Sequence, residues 1–201
     1  MKFKLPHFLL ALYAVHFTVF GLSPYSREVW VAENIPMLII VLGLAGTYRR
    51  FAFSNTSYLM MSVLVFLHTL GGHYTFGRVP FGFITDLFGF TRNHFDRIAH
   101  FSVGFYAYPI AEYIYRKGLT ASKGLLAFTG ITAIFTVAAV YEIIEWWYAA
   151  SADPAAGLAF LGSQGDLWDA QKDMLSDGLG SICASLFFLF HYPVSKTETS
   201  L

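Results

Sequence analysis

The longest apolar stretch of the chain reads KGLLAFTGITAIFTVAAVYEIIEWWY, residues 123–148. A helix that crosses a membrane needs about 20 predominantly apolar residues, and this stretch exceeds that length. After its first residue it carries only two charged side chains, Glu142 and Glu145, both near its end. The stretch therefore predicts a transmembrane helix that brings two carboxylates close to one membrane surface.

The composition of the whole chain also indicates a membrane protein. Of its 201 residues, 56% are hydrophobic and only 13% are charged, whereas soluble proteins carry about 25% charged residues. A water-soluble enzyme, a coiled coil and a disordered chain are therefore excluded. The 13 basic and 13 acidic residues cancel, so we expect no nucleic-acid partner. The single cysteine, Cys183, excludes an intrachain disulfide and a thiolate metal site.

Five further apolar stretches predict membrane spans, at about residues 5–22, 29–48, 58–72, 95–115 and 173–192. The expected fold class is all-α: a polytopic transmembrane helix bundle of about six spans, forming one integral membrane domain over residues 1–201. Lys and Arg accumulate in cytoplasmic loops. Placing both termini in the cytoplasm puts most of the basic residues on that side, so we expect this orientation.

One loop of the predicted bundle is unusually apolar. Residues 79–90 read VPFGFITDLFGF, which is too apolar for a solvated loop and too short to cross a bilayer. The segment is either interfacial or re-entrant, or it is a hairpin packed on the bundle. The sequence favours neither.

Ionisable residues of four predicted spans and one loop fall near the extracytoplasmic side of this topology. Side chains three or four residues apart lie on one helix face. A charged face is costly against lipid, so we expect these groups to meet in a polar cavity. They are His68, the pair Asp96 and His100, the pair Glu142 and Glu145, and the series Asp169, Asp173 and Asp177.

Such a cluster has the ligand types of a metal site. Imidazole with carboxylate suits Zn, Mn or non-haem Fe, and carboxylate with water suits Mg. Two alternatives remain open: a hydrogen-bonded His–carboxylate network without metal, and a purely structural cluster of ion pairs. The candidate metal ligands are His68, Asp96, His100, Glu142, Asp169 and Asp173. The candidate catalytic residues are Glu145 and Asp177, each as a general base, and Arg97, which either pairs with a carboxylate or binds an anionic group of the substrate.

Two other positions have simpler interpretations. Glu112 and Arg116 are four residues apart near the cytoplasmic side, and we expect a surface ion pair there. His16 lies within the first predicted span, where we expect a single hydrogen-bonded histidine.

Several short motifs resemble a known family. The most specific is QGDLWDAQKDM at residues 164–174, accompanied by YEIIEW at 141–146, DRIAHF at 96–101 and His68. Together they resemble the YjdF-type bacterial inner-membrane proteins, the domain-of-unknown-function 2238 family, over nearly the whole chain. The resemblance implies a small multi-pass protein of the bacterial inner membrane. It implies no particular activity.

The residues themselves support one leading functional hypothesis. It is a membrane-embedded, metal-dependent hydrolase or transferase that acts on a lipid-linked or small amphiphilic substrate at the extracytoplasmic side. Membrane lipid is then the immediate partner, and the oligomeric state is open. The alternatives are an ion- or proton-coupled transporter and a non-catalytic membrane scaffold.

Overall fold

The computed structural model describes residues 4–194, and within them the chain forms α-helices, one short 3-10 turn and no strand. This confirms the all-α class. The helices are α1 Leu5–Gly21, α2 Arg27–Thr47, α3 Asn55–Tyr74, α4 Gly82–Phe88, α5 Phe95–Val103, α6 Ala107–Arg116, α7 Lys123–Ser151, α8 Pro154–Leu161 and α9 Asp169–His191.

Helices lie at all six positions where the sequence predicts spans. By length and composition, α2, α7 and α9 are able to cross a membrane, and α1 is a shorter apolar helix. The fourth predicted span consists of α5, the 3-10 turn Gly104–Tyr106 and α6. The number of crossing segments remains a prediction.

Serine side chains begin three of the long helices. Ser26, Ser54 and Ser122 precede α2, α3 and α7, and each accepts a hydrogen bond from the backbone N–H three residues further on. Such a cap satisfies one of the free N–H groups of the first turn.

Helix α9 begins at Asp169, four residues earlier than predicted, so Asp169 joins the helix face of Asp173 and Asp177.

The fourth segment and α9 make a close backbone contact near the end of α5. A Cβ atom added at Gly180 would overlap the carbonyl oxygen of Phe101, and one added at Gly104 would overlap the backbone of Gly180. The two backbones therefore touch, as small residues allow in membrane bundles. This approach sets α5 and α9 side by side where their polar residues lie.

On the other side of the bundle, α1 and α2 both pack against α3. Their shared core contains Tyr13 from α1, Met37 from α2, and Leu64 and Val65 from α3. The Tyr13 hydroxyl lies 3.0 Å from the Thr69 hydroxyl.

The two parts of the apolar segment 79–90 differ in burial. Val79 packs in a small core with Phe76, Phe95 and Ala99. Helix α4, in contrast, buries none of its residues, and Phe83 and Leu87 are about 70% exposed (68% and 72%). A hairpin packed on the bundle does not describe α4, whose apolar side chains face outward as an interfacial segment requires.

Candidate functional site

Arginine–aspartate pairs join the beginning of α5 to the beginning of α9. Arg97 donates hydrogen bonds to Asp169 and to Asp173. Arg92, just ahead of α5, donates to Asp169 at 2.6 Å and lies 3.5 Å from Asp166. Because one guanidinium contacts two turns of α9, this network fixes the register between the two helices.

His100 lies one turn further along α5, between carboxylates on both sides of its ring. Its Nδ1 is 3.3 Å from Asp177. Its Nε2 is 3.5 Å from Asp173 and 3.7 Å from Asp96. One ligand atom from each of Asp96, His100 and Asp173 lies within 4.8 Å of the others. The structure thus brings together three of the six predicted metal ligands.

His68, a fourth predicted ligand, faces a different carboxylate. Its Nε2 is 2.9 Å from the Glu33 carboxylate on α2, which also accepts a hydrogen bond from the Tyr141 hydroxyl at 3.0 Å. Glu33 is almost completely buried, with 1% of its surface exposed. Sequence reasoning missed Glu33, although an acidic residue inside a predicted apolar span is the signal that marks a functional position in membranes.

The Asp96–His100–Asp173 group and the Glu33–His68 pair line one small pocket. Its polar lining includes Glu33, His68, Asp96, His100, Glu145 and Asp173. Phe76 from the α3–α4 loop and Phe160, Leu161 and Gly162 around the end of α8 close it. Of the eight polar residues predicted to share a cavity, five line this pocket: His68, Asp96, His100, Glu145 and Asp173.

The remaining predicted residues lie next to this pocket. Asp169 is held by the two arginines, and Asp177 lies behind His100. The Glu142 carboxyl on α7 interacts electrostatically with His100 and Asp173. Its Oε1 is buried without a hydrogen-bond partner among the described residues, as are Nε and Nη2 of Arg92. These orphaned atoms are ones that a bound polar group would satisfy.

Negative charge exceeds fixed positive charge throughout this region. An excess of buried carboxylates is stable only with bound cations, charged histidines or protonated acids. The carboxylates are Glu33, Asp96, Glu142, Glu145, Asp169, Asp173 and Asp177, against the fixed cations Arg92 and Arg97.

Two groups at the rim of the site have shifted pKa values. A hydrogen bond from Lys172 lowers the pKa of the Asp166 carboxyl. Burial lowers the pKa of His94, and the positive charge of Arg92 and Arg97 lowers it further. The rim therefore favours an ionised Asp166 and a neutral His94.

At the other end of the bundle, the expected ion pair between Glu112 and Arg116 is present at 2.7 Å, but its expected position at the surface is wrong. Glu112 is fully buried (0% exposed). It accepts hydrogen bonds from the Ser54 backbone N–H and hydroxyl, the Ser57 hydroxyl and Arg116. Only Arg116 reaches the surface, because α6 packs against the beginning of α3 and covers the carboxylate.

His16 is the hydrogen-bonded histidine that was expected, with Nε2 3.0 Å from the Phe66 carbonyl oxygen.

Comparison with known proteins places this architecture in a family. The family model described as "Predicted membrane protein (DUF2238)" matches residues 5–193. The chain belongs to the DUF2238 family. Among its relatives in this family is the inner membrane protein YjdF of Escherichia coli (strain K12), which is 34% identical over 178 residues. That match covers 85% of this chain and 83% of YjdF.

The DUF2238 match agrees with the resemblance noted from the motifs, and the residues of the pocket all lie within it. No solved structure matches the chain. The family therefore supports the membrane architecture and does not indicate an activity.

Proposed function

We propose that this DUF2238 protein is a membrane-embedded, metal-dependent hydrolase or transferase for a lipid-linked or small amphiphilic substrate. We place its site on the extracytoplasmic side of the bacterial inner membrane, in a bundle of six crossing segments with both termini in the cytoplasm. The observation that carries the proposal is the position of His100, between Asp177 at one ring nitrogen and the pair Asp96 and Asp173 at the other.

The separations around His100 Nε2 suit a metal site. Ligand atoms about 2.1 Å from a tetrahedral ion lie roughly 3.4 Å from one another. The distances from Nε2 to Asp173 and Asp96, 3.5 and 3.7 Å, are close to this value and too long for hydrogen bonds. We assign Asp96, His100 and Asp173 as the ligands of a divalent ion, with Zn, Mn, Fe and Mg as candidates.

Asp177 fits the role of an orienting group better than that of a general base. Histidines that bind metals usually donate their second ring N–H to a carboxylate, which fixes the tautomer and the ring orientation. Asp177 is 1% exposed and faces His100 Nδ1. In this proposal it positions His100.

Other residues of the pocket supply the remaining chemistry. A bound divalent ion would neutralise carboxylate charge and would lower the pKa of a water molecule bound to it to about 7. Glu145 also lines the pocket and is the candidate that accepts a proton from water. Arg97 contacts the pocket residue Asp173, and Arg97 and Arg92 both contact Asp169, so that they are candidates to hold an anionic group of the substrate. His68, oriented by Glu33, is able to donate a proton to a leaving group.

The surroundings of the pocket suit an amphiphilic substrate. The exposed apolar side chains of α4 include Phe83, Leu87 and Phe88, and Leu158 on α8 is 70% exposed. Trp168, in the loop before α9, is 64% exposed. An apolar and aromatic rim beside a charged pocket provides contacts for both parts of a lipid-linked molecule.

The decisive experiment measures metal content and metal-dependent stability. Full-length protein purified in detergent is analysed for metals by mass spectrometry, stripped with chelator, and titrated with each candidate ion while thermal unfolding is followed. An ion at about 100 times its Kd should add roughly 2.7 kcal/mol of stability. We expect His100→Ala and Asp173→Asn to abolish this gain, and Asp177→Asn to weaken affinity about 10- to 100-fold.

Two controls separate the site from general effects. His191→Ala removes a histidine on the last turn of α9, whose Nδ1 forms a hydrogen bond with the Tyr108 hydroxyl. Asp153→Asn changes an exposed carboxylate and retains an amide oxygen for the cap of α8. Both should bind metal as the parent protein does. A parent protein that no candidate ion stabilises, or a His100→Ala variant that retains the metal, rejects the proposal.

An ion- or proton-coupled transporter is the alternative that a separate observation favours. The Glu33–His68 pair and the Tyr141 hydroxyl lie in the same pocket as Asp96 and Asp173, so titratable groups from several helices are within reach of one another. Such chains relay protons in transport proteins. Proton or cation flux in proteoliposomes that stops in Glu33→Gln would favour transport. A protein with neither metal binding nor flux would be a scaffold.

A further inference from the structure

An apolar groove lies at the opposite end of the molecule, between α1 and α2. Its volume is about 170 Å³, and it is lined almost entirely by apolar side chains. The floor is α3, with Met61 and Val65, while Leu10 and Leu44 form the walls. Cavities of about 150 Å³ with apolar walls bind small hydrocarbons such as benzene.

Aromatic contacts join α1 and α2 at the two ends of this groove. Phe17 on α1 and Trp30 on α2 have ring centroids 5.0 Å apart near the loop that joins the helices. At the other end, His7 and Tyr48 have centroids 5.3 Å apart. Between these contacts α1 and α2 each pack on α3 and are separated by the groove.

The dimensions and chemistry of the groove match one leaflet of a bilayer. Along α3 it extends from Tyr58 to Phe66, about 12 Å of helix. Half of a bilayer's hydrocarbon thickness is about 15 Å. His7, Tyr48 and Tyr58 lie together at one end, as aromatic side chains do at membrane interfaces.

Positive charge flanks the same end. Lys4 precedes α1, and Arg49 and Arg50 directly follow Tyr48; all three are exposed. The nearest acid along this end of the described chain is Glu112, which is buried and already paired with Arg116. An apolar groove beneath exposed cations is complementary to an acyl chain beneath an anionic headgroup.

We propose that this groove binds an anionic glycerophospholipid. One acyl chain lies against α3 between α1 and α2, and the phosphate is held near Lys4, Arg49 and Arg50. The site is separate from the charged pocket, so it does not depend on the metal chemistry proposed above.

Native mass spectrometry of the detergent-purified full-length protein tests this inference, with phosphatidylglycerol and phosphatidylcholine as probes. We expect phosphatidylglycerol to be retained preferentially. Ala45→Trp fills the groove and should remove adducts of both lipids. Leu42→Trp is the matched control, because Leu42 is 67% exposed and lies outside the groove. It should bind lipid as the parent does.

The headgroup interaction is tested by Arg49→Gln and Arg50→Gln. Each should weaken phosphatidylglycerol binding about fivefold, equivalent to about 1 kcal/mol, and leave phosphatidylcholine unchanged, whereas Lys123→Gln should change neither. Equal lipid adducts in Ala45→Trp and Leu42→Trp would overturn the proposal. So would a parent protein that binds both lipids equally, or an Ala45→Trp variant that alters only the oligomeric mass, since the groove would then hold a second copy.

Discussion

The contact between α5 and α9 makes a sharp prediction for Gly180→Ala. In a helix interior, replacing glycine with alanine normally stabilises by up to about 1 kcal/mol. At Gly180 the new Cβ atom would lie 2.9 Å from the carbonyl carbon of Phe101 and would overlap its oxygen. These are backbone atoms, which cannot rotate away as the end of a side chain can.

The size of the effect follows from the displacement required. Ordinary Cβ contacts begin at about 3.4 Å, so the carbonyl carbon alone requires the helices to separate by 0.5 Å, and the closer carbonyl oxygen requires more. A gap of about 0.5–1 Å forfeits a quarter to a half of the dispersion energy of each contact. Overpacking of this kind typically costs about 1–3 kcal/mol. We therefore expect Gly180→Ala to lower the unfolding midpoint by roughly 2–12 °C for a chain of this size.

Thermal unfolding in detergent, followed by circular dichroism, provides the assay. Gly43→Ala in α2 is the matched control, because a Cβ atom there meets nothing within 4 Å, and it should keep or raise the midpoint. Gly180→Ala should also weaken metal binding, since it moves Asp173 and Asp177 away from α5. A Gly180→Ala protein as stable as Gly43→Ala would refute the close approach of the two helices.

Three further perturbations test individual contacts. Glu112→Ala leaves the Ser54 and Ser57 hydroxyls without their acceptor, while the partly exposed Arg116 guanidinium can turn to water, and should cost about 1–3 kcal/mol in unfolding free energy. Tyr141→Phe removes one hydrogen bond to the Glu33 carboxylate and should cost about 1–3 kcal/mol, measured by the same unfolding assay. The lowered pKa of Asp166 means that its bond with Lys172 stabilises the loop at pH above about 4 and is lost as pH falls through the folded-state pKa. Hydrogen exchange of residues 162–168, corrected for its intrinsic pH dependence, should therefore accelerate at acid pH.

These three tests have simple controls. Asp86→Ala changes an exposed carboxylate on α4 and should shift stability by less than about 0.5 kcal/mol. Tyr113→Phe removes a hydroxyl from a residue that is 42% exposed, and should be equally mild. The exchange of residues 162–168 should lose its acid transition in Lys172→Met. A Glu112→Ala variant as stable as Asp86→Ala would show that the buried carboxylate is not satisfied in the way described.

The candidate site was predictable wherever its residues share one helix. Asp96 with His100, and Asp169 with Asp173 and Asp177, follow from the helical repeat, which needs no knowledge of the neighbouring helices. Glu33 could not be paired with His68 in this way, because 35 residues and a loop separate them. Their contact depends on how α2 packs against α3.

What the sequence alone determined is the positions of the apolar helices and the helix faces that carry charge, because hydrophobicity and periodicity are local properties of the chain. Tertiary structure decided which faces meet. Gly104 and Gly180 let two backbones touch, which puts His100 between Asp177 and Asp173, and the packing of α6 on α3 encloses Glu112. The physical reason is that burial and charge pairing depend on atoms far apart in the sequence, whose separation is set only when the helices pack.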